Sequence, residues 1–384
     1  MKPICLLLAL LVLLTGCNHI PEETLPTTLP TEPETTEAPT EETVPPTTEA
    51  VDPMEHLLSI MPTEYKVGQL FLARCPEENA LEDIKTYHLG GYVLFGRDFA
   101  GQTPDSITKT LSDYQLASPI PLLIAVDEEG GTVTRVSGNP AFRAQRFPSP
   151  RDLYTYGGMD AVLEAEGEKA ALLSSLGINV NLAPVCDITQ KLSCILYSRS
   201  LGRSPEITGT FAAETLGIMK EKGVGGVLKH FPGYGNNADT HYGAAMDERT
   251  LEELEGCDLI PFQMGIDAGC GAIMMSHNTV TALDEANPAT LSPAVHDYLR
   301  NSMGFDGVII TDDLDMGAIT ENYGIREAAV LAVLAGNDIL CCTEYAAQYE
   351  AVLEAVNNGR IPMETLDAAV MRILKWKQSL GLLY

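Results

Sequence analysis

The densest chemistry in the chain lies in one stretch, Lys229-His-Phe-Pro-Gly-Tyr-Gly-Asn-Asn-Ala-Asp-Thr-His241. Lys229 and His230 close an apolar run, and Pro232, Gly233 and Gly235 then force the chain into a loop. Asp239 and His241 sit two apart on that loop, so one carboxylate can orient one imidazole. It would fix the tautomer and raise the ring's pKa into the range for proton transfer at neutral pH. Two solvated loop residues would have the same spacing. A metal-ligand set of His230, Asp239 and His241 is a third reading, although no HxxxH helix or second Cys/His pair supports it.

A second acid stands at the end of another apolar run, Gly307-Val-Ile-Ile-Thr-Asp-Asp-Leu-Asp-Met316. There Asp312 can serve as a nucleophile or as the stabiliser of a developing cation. It can equally be a helix N-cap, a role open to Asp313 and Asp315 as well. A third set combines Asp127 and Arg135, in Val126-Asp-Glu-Glu-Gly-Gly-Thr-Val-Thr-Arg135, with Arg199 of Ser198-Arg-Ser-Leu-Gly202. An Asp and two Arg at a pocket can hold vicinal hydroxyls through paired hydrogen bonds, and each can also be a structural ion pair.

These residues need elements to position them, and the hydrophobic pattern supplies eight. Short apolar runs at 69–75, 90–96, 121–127, 178–184, 225–231, 272–278, 307–313 and 338–342 read as strands covered on both faces. Between them lie stretches with helical spacing, such as MDAVLEAEGEKAALLSSLG and IREAAVLAVLAGN. Strand then helix, eight times over, fits a (β/α)8 TIM-type barrel or a doubly wound open sheet. The polar residues favour the barrel. Asp127, Asp187, Lys229 with His230, Ser276 to Asn278, and Asp312 with Asp313 all cluster at strand C-termini, which in a barrel converge on one site.

Residues 1–17 read as an address rather than fold. Lys2 precedes the apolar run Ile4 to Leu14, too short to span a bilayer, and Leu14-Thr-Gly-Cys17 has the form of a bacterial lipobox with Cys17 as the lipidated residue. Residues 18–52 are dominated by Thr, Pro and Glu with no Lys, Arg or Gly, a composition for a disordered, extended tether. The body then runs from 53 to 384, and the protein is expected outside the cytoplasm, held to the bacterial membrane by the lipid on Cys17.

The charge balance narrows the remaining classes. With 24 Lys+Arg against 53 Asp+Glu, the net charge of −29 repels phosphate backbones and argues against nucleic acid as a partner. No apolar run reaches the length of a spanning helix, no GxSxG elbow marks a serine hydrolase, and no GxxxxGK[ST] loop marks an NTPase. Seven of the nine Cys lie in the body at spacings that suit neither zinc nor a disulfide scaffold, so they read mostly as buried free thiols of a reducing milieu.

Taken jointly and in order, the motifs resemble the catalytic barrel of glycoside hydrolase family 3, in its β-N-acetylhexosaminidase branch, over roughly residues 60–384. KHFPGYGNNADTH is similar to that branch's KHFPGHG…D(S/T)H signature, VIITDDLDM to its nucleophile strand, VDEEGGTVTR to its first sugar-binding strand, and GGYVLFGRD to its second barrel strand. The resemblance implies Asp312 as the nucleophile of a retaining exo-glycosidase and His241, partnered by Asp239, as acid/base. It also implies Asp127, Arg135, Arg199, Lys229 and His230 as the grip on the sugar in the −1 subsite. Neither a metal nor an organic cofactor is implied; the implied partners are β-linked N-acetylhexosamine glycans, and the enzyme is expected to be a monomer. Tyr234 stands where the family often has His, and no Pro follows His241 at the usual short distance, both pointing to loop variation. The chain's end at RILKWKQSLGLLY leaves no room for the further domain from which the β-glucosidase branch draws its acid/base. Phosphorolysis, β-glucosidase activity and a non-catalytic sugar-binding lipoprotein are the competing expectations.

Overall fold

The computed structural model describes residues 52–384 except Ala238, His241 and Tyr242. The leader with Cys17, nearly all of the tether, and the expected acid/base His241 therefore lie outside the described residues. Asp52 belongs to the body: its side chain accepts from the Met54 N–H at 2.9 Å and caps the first helix, Pro53–Ile60.

Each of the eight apolar runs contains a strand. They are β1 (Phe71–Arg74), β2 (Gly91–Leu94), β3 (Leu123–Val126), β4 (Val180–Asn181), β5 (Gly225–Phe231), β6 (Ala272–Met275), β7 (Val308–Thr311) and β8 (Leu340–Cys342). All pair in parallel in the order β8-β1-β2-β3-β4-β5-β6-β7, and a parallel bridge between Ile310 and Ile339 joins the two edges. The sheet is thus a TIM-type barrel, as expected. Its strands are buried almost throughout because side chains on one face fill the barrel and those on the other meet the helices.

The helices start where local chemistry tells them to. Thr103, Ser149, Ser204 and Ser292 each precede a Pro at the first helical position, and each side chain accepts a hydrogen bond from a first-turn N–H. Each such cap is worth about 1 kcal/mol. They open the helices Pro104–Ala117, Pro150–Ser175, Pro205–Glu221 and Pro293–Asp297.

Two departures from regular pairing fall at the C-terminal mouth. The register of β5 against β6 shifts between Leu228 and Phe231, which takes Lys229 and His230 out of that ladder, as a bulge does when it re-aims side chains. The run expected as one strand over 272–278 pairs with β7 only to Met275; Asn278–Val280 forms a separate two-stranded sheet with Ala245–Asp247. Among the described residues the seven body cysteines are free, five of them buried, and no helix is long and apolar enough to cross a membrane.

At the opposite end of the barrel Lys377 is buried completely, its ammonium donating to Gln69 Oε1 at 2.7 Å and to the Gly90 carbonyl at 3.0 Å. No carboxylate joins it, and burial pushes its pKa down to about 7. The unfolded chain therefore binds a proton that the folded chain lacks between about pH 7 and 10, and in that window this group's cost to the fold falls as pH rises. Lys377→Met removes that linkage. In urea unfolding, wild type should gain stability relative to Lys377→Met between about pH 7 and pH 9; parallel curves would show that Lys377 stays charged in the fold.

Candidate active site

The mouth of the barrel holds a cavity of about 320 Å³, and six of the eight catalytic and sugar-binding residues expected from the sequence line it: Asp127, Arg135, Arg199, Lys229, His230 and Asp312. They arrive from four directions. Asp127 follows β3, Lys229 and His230 are in β5, Asp312 follows β7, and Arg199 comes from the long connection after β4. Sequence spacings of up to 185 residues collapse into one pocket because parallel strands present all their C-terminal ends on one face.

One wall is a buried ion cluster. Lys229 Nζ lies 2.7 Å from both Asp127 Oδ1 and Glu129 Oε1. Arg199 grips Glu129 with two bonds, NH2 to Oε1 at 2.7 Å and Nε to Oε2 at 2.9 Å. Arg135 completes the group at 3.4 Å from Asp127 Oδ2. Burial alone would raise the Glu129 carboxyl, but Arg199 and Lys229 beside it hold it well below the usual carboxylate range. Burial likewise works against the Lys229 ammonium, and Asp127 and Glu129 more than restore it.

Glu129 was not among the expected site residues, although it is the hub of the wall. Its signal was present in the acid run Asp127-Glu128-Glu129. The three take separate tasks: Asp127 faces the cavity, Glu129 pairs Arg199 and Lys229, and Glu128 turns back to accept from the N–H groups of Arg135, Val136 and Ser137.

His230 is oriented by Asp187, whose Oδ2 accepts from ring Nδ1 at 2.7 Å and from the His230 backbone N–H at 3.0 Å. Its Nε2 is left toward the cavity, 3.4 Å from Arg199 NH2. Asp187 Oδ1 accepts from the Tyr234 N–H at 2.6 Å, so one buried carboxylate shapes both the end of β5 and the loop beyond. Gly233 in that loop has φ +115°, and a Cβ there would meet Asp258 Cβ at 2.5 Å.

In the same cavity, burial would raise the Asp312 carboxyl, but His230, His277, the Asp313 N–H, which donates to Oδ1 at 2.9 Å, and Lys229 lower it below its ordinary value. An ionised carboxylate at this place suits stabilisation and capture of a cationic carbon. Asp312 is not a helix cap. Neither is Asp313 or Asp315: the next helix, Gly317–Tyr323, has Met316 at its N-cap position and no side-chain cap, and Asp315 Oδ2 instead accepts from the N–H groups of Thr343 and Glu344 in the connection before Tyr345–Asn357. Asp313 accepts from the Asp315 N–H and the Thr343 hydroxyl, and burial with Asp315 and Asp312 beside it pushes its carboxyl up to about 6.

Asp239 lies half-buried on the loop after β5, outside the cavity lining, next to the fully buried Thr240. The Thr240 N–H donates to the Tyr234 phenol oxygen at 2.7 Å. Burial pushes that phenol up to about 12, with Thr240 pulling against it and Asp239 and Asp312 adding to the rise. Tyr234 is therefore an anchor of the loop rather than incidental variation. Among the described residues no group of three His, Cys, Asp or Glu is placed to hold a metal.

A closed parallel barrel with paired carboxylates and fixed cations at its mouth defines a sugar-hydrolase type of site. The Glycosyl hydrolase family 3 N terminal domain matches residues 62–376, and the chain belongs to that family: it is a glycoside hydrolase. Over 329 residues, 81% of this chain and 82% of the relative, it is 30% identical to "Beta-hexosaminidase LpqI" of Mycobacterium tuberculosis. A "Beta-hexosaminidase" of Nitrosomonas eutropha is 36% identical over 267 residues, 67% of this chain and 74% of that protein. In three dimensions a family 3 β-N-acetylglucosaminidase of Paenibacillus superposes with TM-score 0.79 at 34% identity; the match covers 84% of this chain and 63% of that longer one. A family 3 glycosyl hydrolase of Mycobacterium smegmatis gives 0.76 at 31%, covering 83% and 98%.

Glu129→Gln keeps the side chain's size and removes its charge, leaving Lys229 and Arg199 to share Asp127. Removing one partner of a buried pair costs about 3–5 kcal/mol when the other charge is left uncompensated. Glu129→Gln should lower unfolding stability and cut kcat/KM, whereas a neutral result in both would remove Glu129 from the hub.

Proposed function

We propose that the protein is a retaining exo-β-N-acetylglucosaminidase that releases terminal GlcNAc from cell-wall fragments or other glycans. The observation that carries this reading is that Asp312 shares one cavity with Asp127, Lys229, Arg199 and His230, which Glu129 ties together, inside a family 3 barrel whose relatives bear the name β-hexosaminidase. Asp312 attacks the anomeric carbon, the glycosidic C–O bond breaks, and a glycosyl-enzyme forms on its carboxylate. His241, partnered by Asp239, protonates the departing oxygen and then takes a proton from the incoming water, whose oxygen displaces Asp312. Asp127, Arg135, Arg199, Lys229 and His230 hold the hydroxyls and the acetamido-bearing sugar while charge develops. No metal or organic cofactor enters this sequence.

Aryl β-N-acetylglucosaminide turnover by the full chain, beside aryl β-glucoside, checks the reading. His241→Ala should lose about 10²–10⁴-fold in kcat with a leaving group that needs protonation. Asp312→Ala should be silent, and intact-mass spectrometry of wild type with a slow substrate should show the sugar attached to Asp312. Full activity in Asp312→Ala overturns the mechanism; preference for the glucoside overturns the substrate.

We further propose that the mature protein is a monomer anchored outside the cytoplasm by a lipid on Cys17, with residues 18–52 as the spacer. The Leu-Thr-Gly-Cys17 ending of the leader supports this. Incorporation of labelled fatty acid and membrane fractionation should both be lost in Cys17→Ser; retention of the label in that variant refutes the anchor.

A further inference from the structure

His277 stands two residues past the end of β6, and both of its ring nitrogens face groups that accept. Nδ1 lies 2.7 Å from Thr290 Oγ1. The single proton of that hydroxyl is already directed to the Ser276 carbonyl, 2.6 Å away, so the ring must be the donor. Nε2 lies 2.9 Å from the carbonyl oxygen of Asp313, which can only accept. A neutral imidazole has one N–H, and these two contacts require two. The ring is 1% exposed, so bulk water does not substitute for either partner.

We infer that His277 is held as a buried imidazolium that fixes the turn after Asp312 and supplies a positive charge beside that carboxylate, acting as a positioning residue for the displacement at Asp312. The inference rests on the glycosidase reading of Asp312 given above. It deepens that reading because none of the motifs that carry the family resemblance contains His277.

The surrounding charges point to Asp312 as its counter-ion. The groups about this corner are Asp312, Asp313 and Asp315 on the connection after β7, Lys229 and His230 on β5, and Tyr234 and Asp239 on the loop after β5; the Ala289–Leu291 turn contributes the uncharged Thr290. Asp313 is held up near 6 by burial and by its acidic neighbours. Asp312 moves the opposite way, with burial opposed first by His230 and then by His277. Two adjacent carboxyls are thereby separated: one is kept ionised for attack, and the other offers its backbone carbonyl to the ring.

Two measurements test this on the full chain. Long-range ¹H–¹⁵N spectra of ¹⁵N-histidine protein, assigned by the signal missing in His277→Gln, should show both ring nitrogens protonated at neutral pH. A single-tautomer pattern at neutral pH overturns the inference, and this readout needs no turnover. The pH profile of kcat/KM supplies the second arm. His277→Gln should move the acid limb upward by about one pH unit, the usual size of losing an opposite charge within a few ångström. KM should change little and kcat should fall. The shift should persist in an Asp313→Asn background, which removes the neighbouring titration. A merely structural role would scale the profile without moving its limb, and that outcome also refutes the inference. Absence of any aryl-glycoside turnover in wild type would refute the glycosidase reading instead, while the nitrogen spectra still decide the charge on His277.

Discussion

Lys229 Nζ has two carboxylate oxygens at 2.7 Å, on Asp127 and Glu129, and Glu129 passes its remaining contacts to Arg199. With Glu129 and Lys229 at most 2% exposed, this group has left water almost entirely. Ions taken from water are costly unless each finds its partner with good geometry. The arrangement therefore holds only if the connection after β3, the bulge of β5 and the connection after β4 all reach their places together. The upper face of the barrel is organised by that requirement, and the reward is functional: hydrogen-bond donors and charges are fixed before a sugar enters, so little reorganisation remains for the reaction.

The backbone around the cluster carries the same logic outward. Glu129 also offers its carbonyl to Lys169 of the helix Pro150–Ser175, at 2.8 Å, and Lys169 in turn pairs with the buried Glu166 at 2.6 Å. Gly130 next to it has φ +102°, and any Cβ there would lie 2.4 Å from the Pro148 carbonyl oxygen. The sharp turn of Asp-Glu-Glu-Gly-Gly thus lets three successive acids diverge toward the pocket, the loop backbone and the ion cluster. Alternation along a strand gives two directions; a third needs the strand to end in glycine.

Much of the fold was legible because its signals are local. Continuous apolar runs mark strands buried on both faces, so all eight barrel strands fall within their expected segments. The losses are equally physical. The 178–184 run keeps only Val180–Asn181 as strand, and the 272–278 run breaks after Met275 because Asn278–Val280 finds a partner, Ala245–Asp247, that no local pattern announces. In the site, the charged residues Asp127, Arg135, Arg199, Lys229, His230 and Asp312 that line the cavity were named from motif and resemblance. Those behind them, Glu129, Asp187 and His277, were passed over or given no task. Their roles are defined by partners far along the chain, as Asp187 is by His230 and His277 by Thr290 and Asp313.

Tyr234 shows how such a partner changes the meaning of a substitution. As a departure from a family pattern that often has His, it reads as variation in a loop. In the structure its hydroxyl oxygen accepts the Thr240 N–H at 2.7 Å and shares a bond with the Thr240 hydroxyl at 2.9 Å, while the Thr240 carbonyl accepts from the N–H of Ala318 at 3.2 Å. Ala318 belongs to the helix Gly317–Tyr323, which begins just beyond the Asp312 turn. Thr240, the residue between Asp239 and His241, is therefore fastened on one side to the end of β5 and on the other to the element that follows Asp312. A phenol reaches where a shorter imidazole would stop, and its oxygen can accept and donate at once. The two halves of the proposed chemistry are thereby referenced to each other through the Thr240 backbone, whose carbonyl keeps the Ala318 bond whatever the side chains, while its N–H loses its acceptor if the Tyr234 phenol is removed.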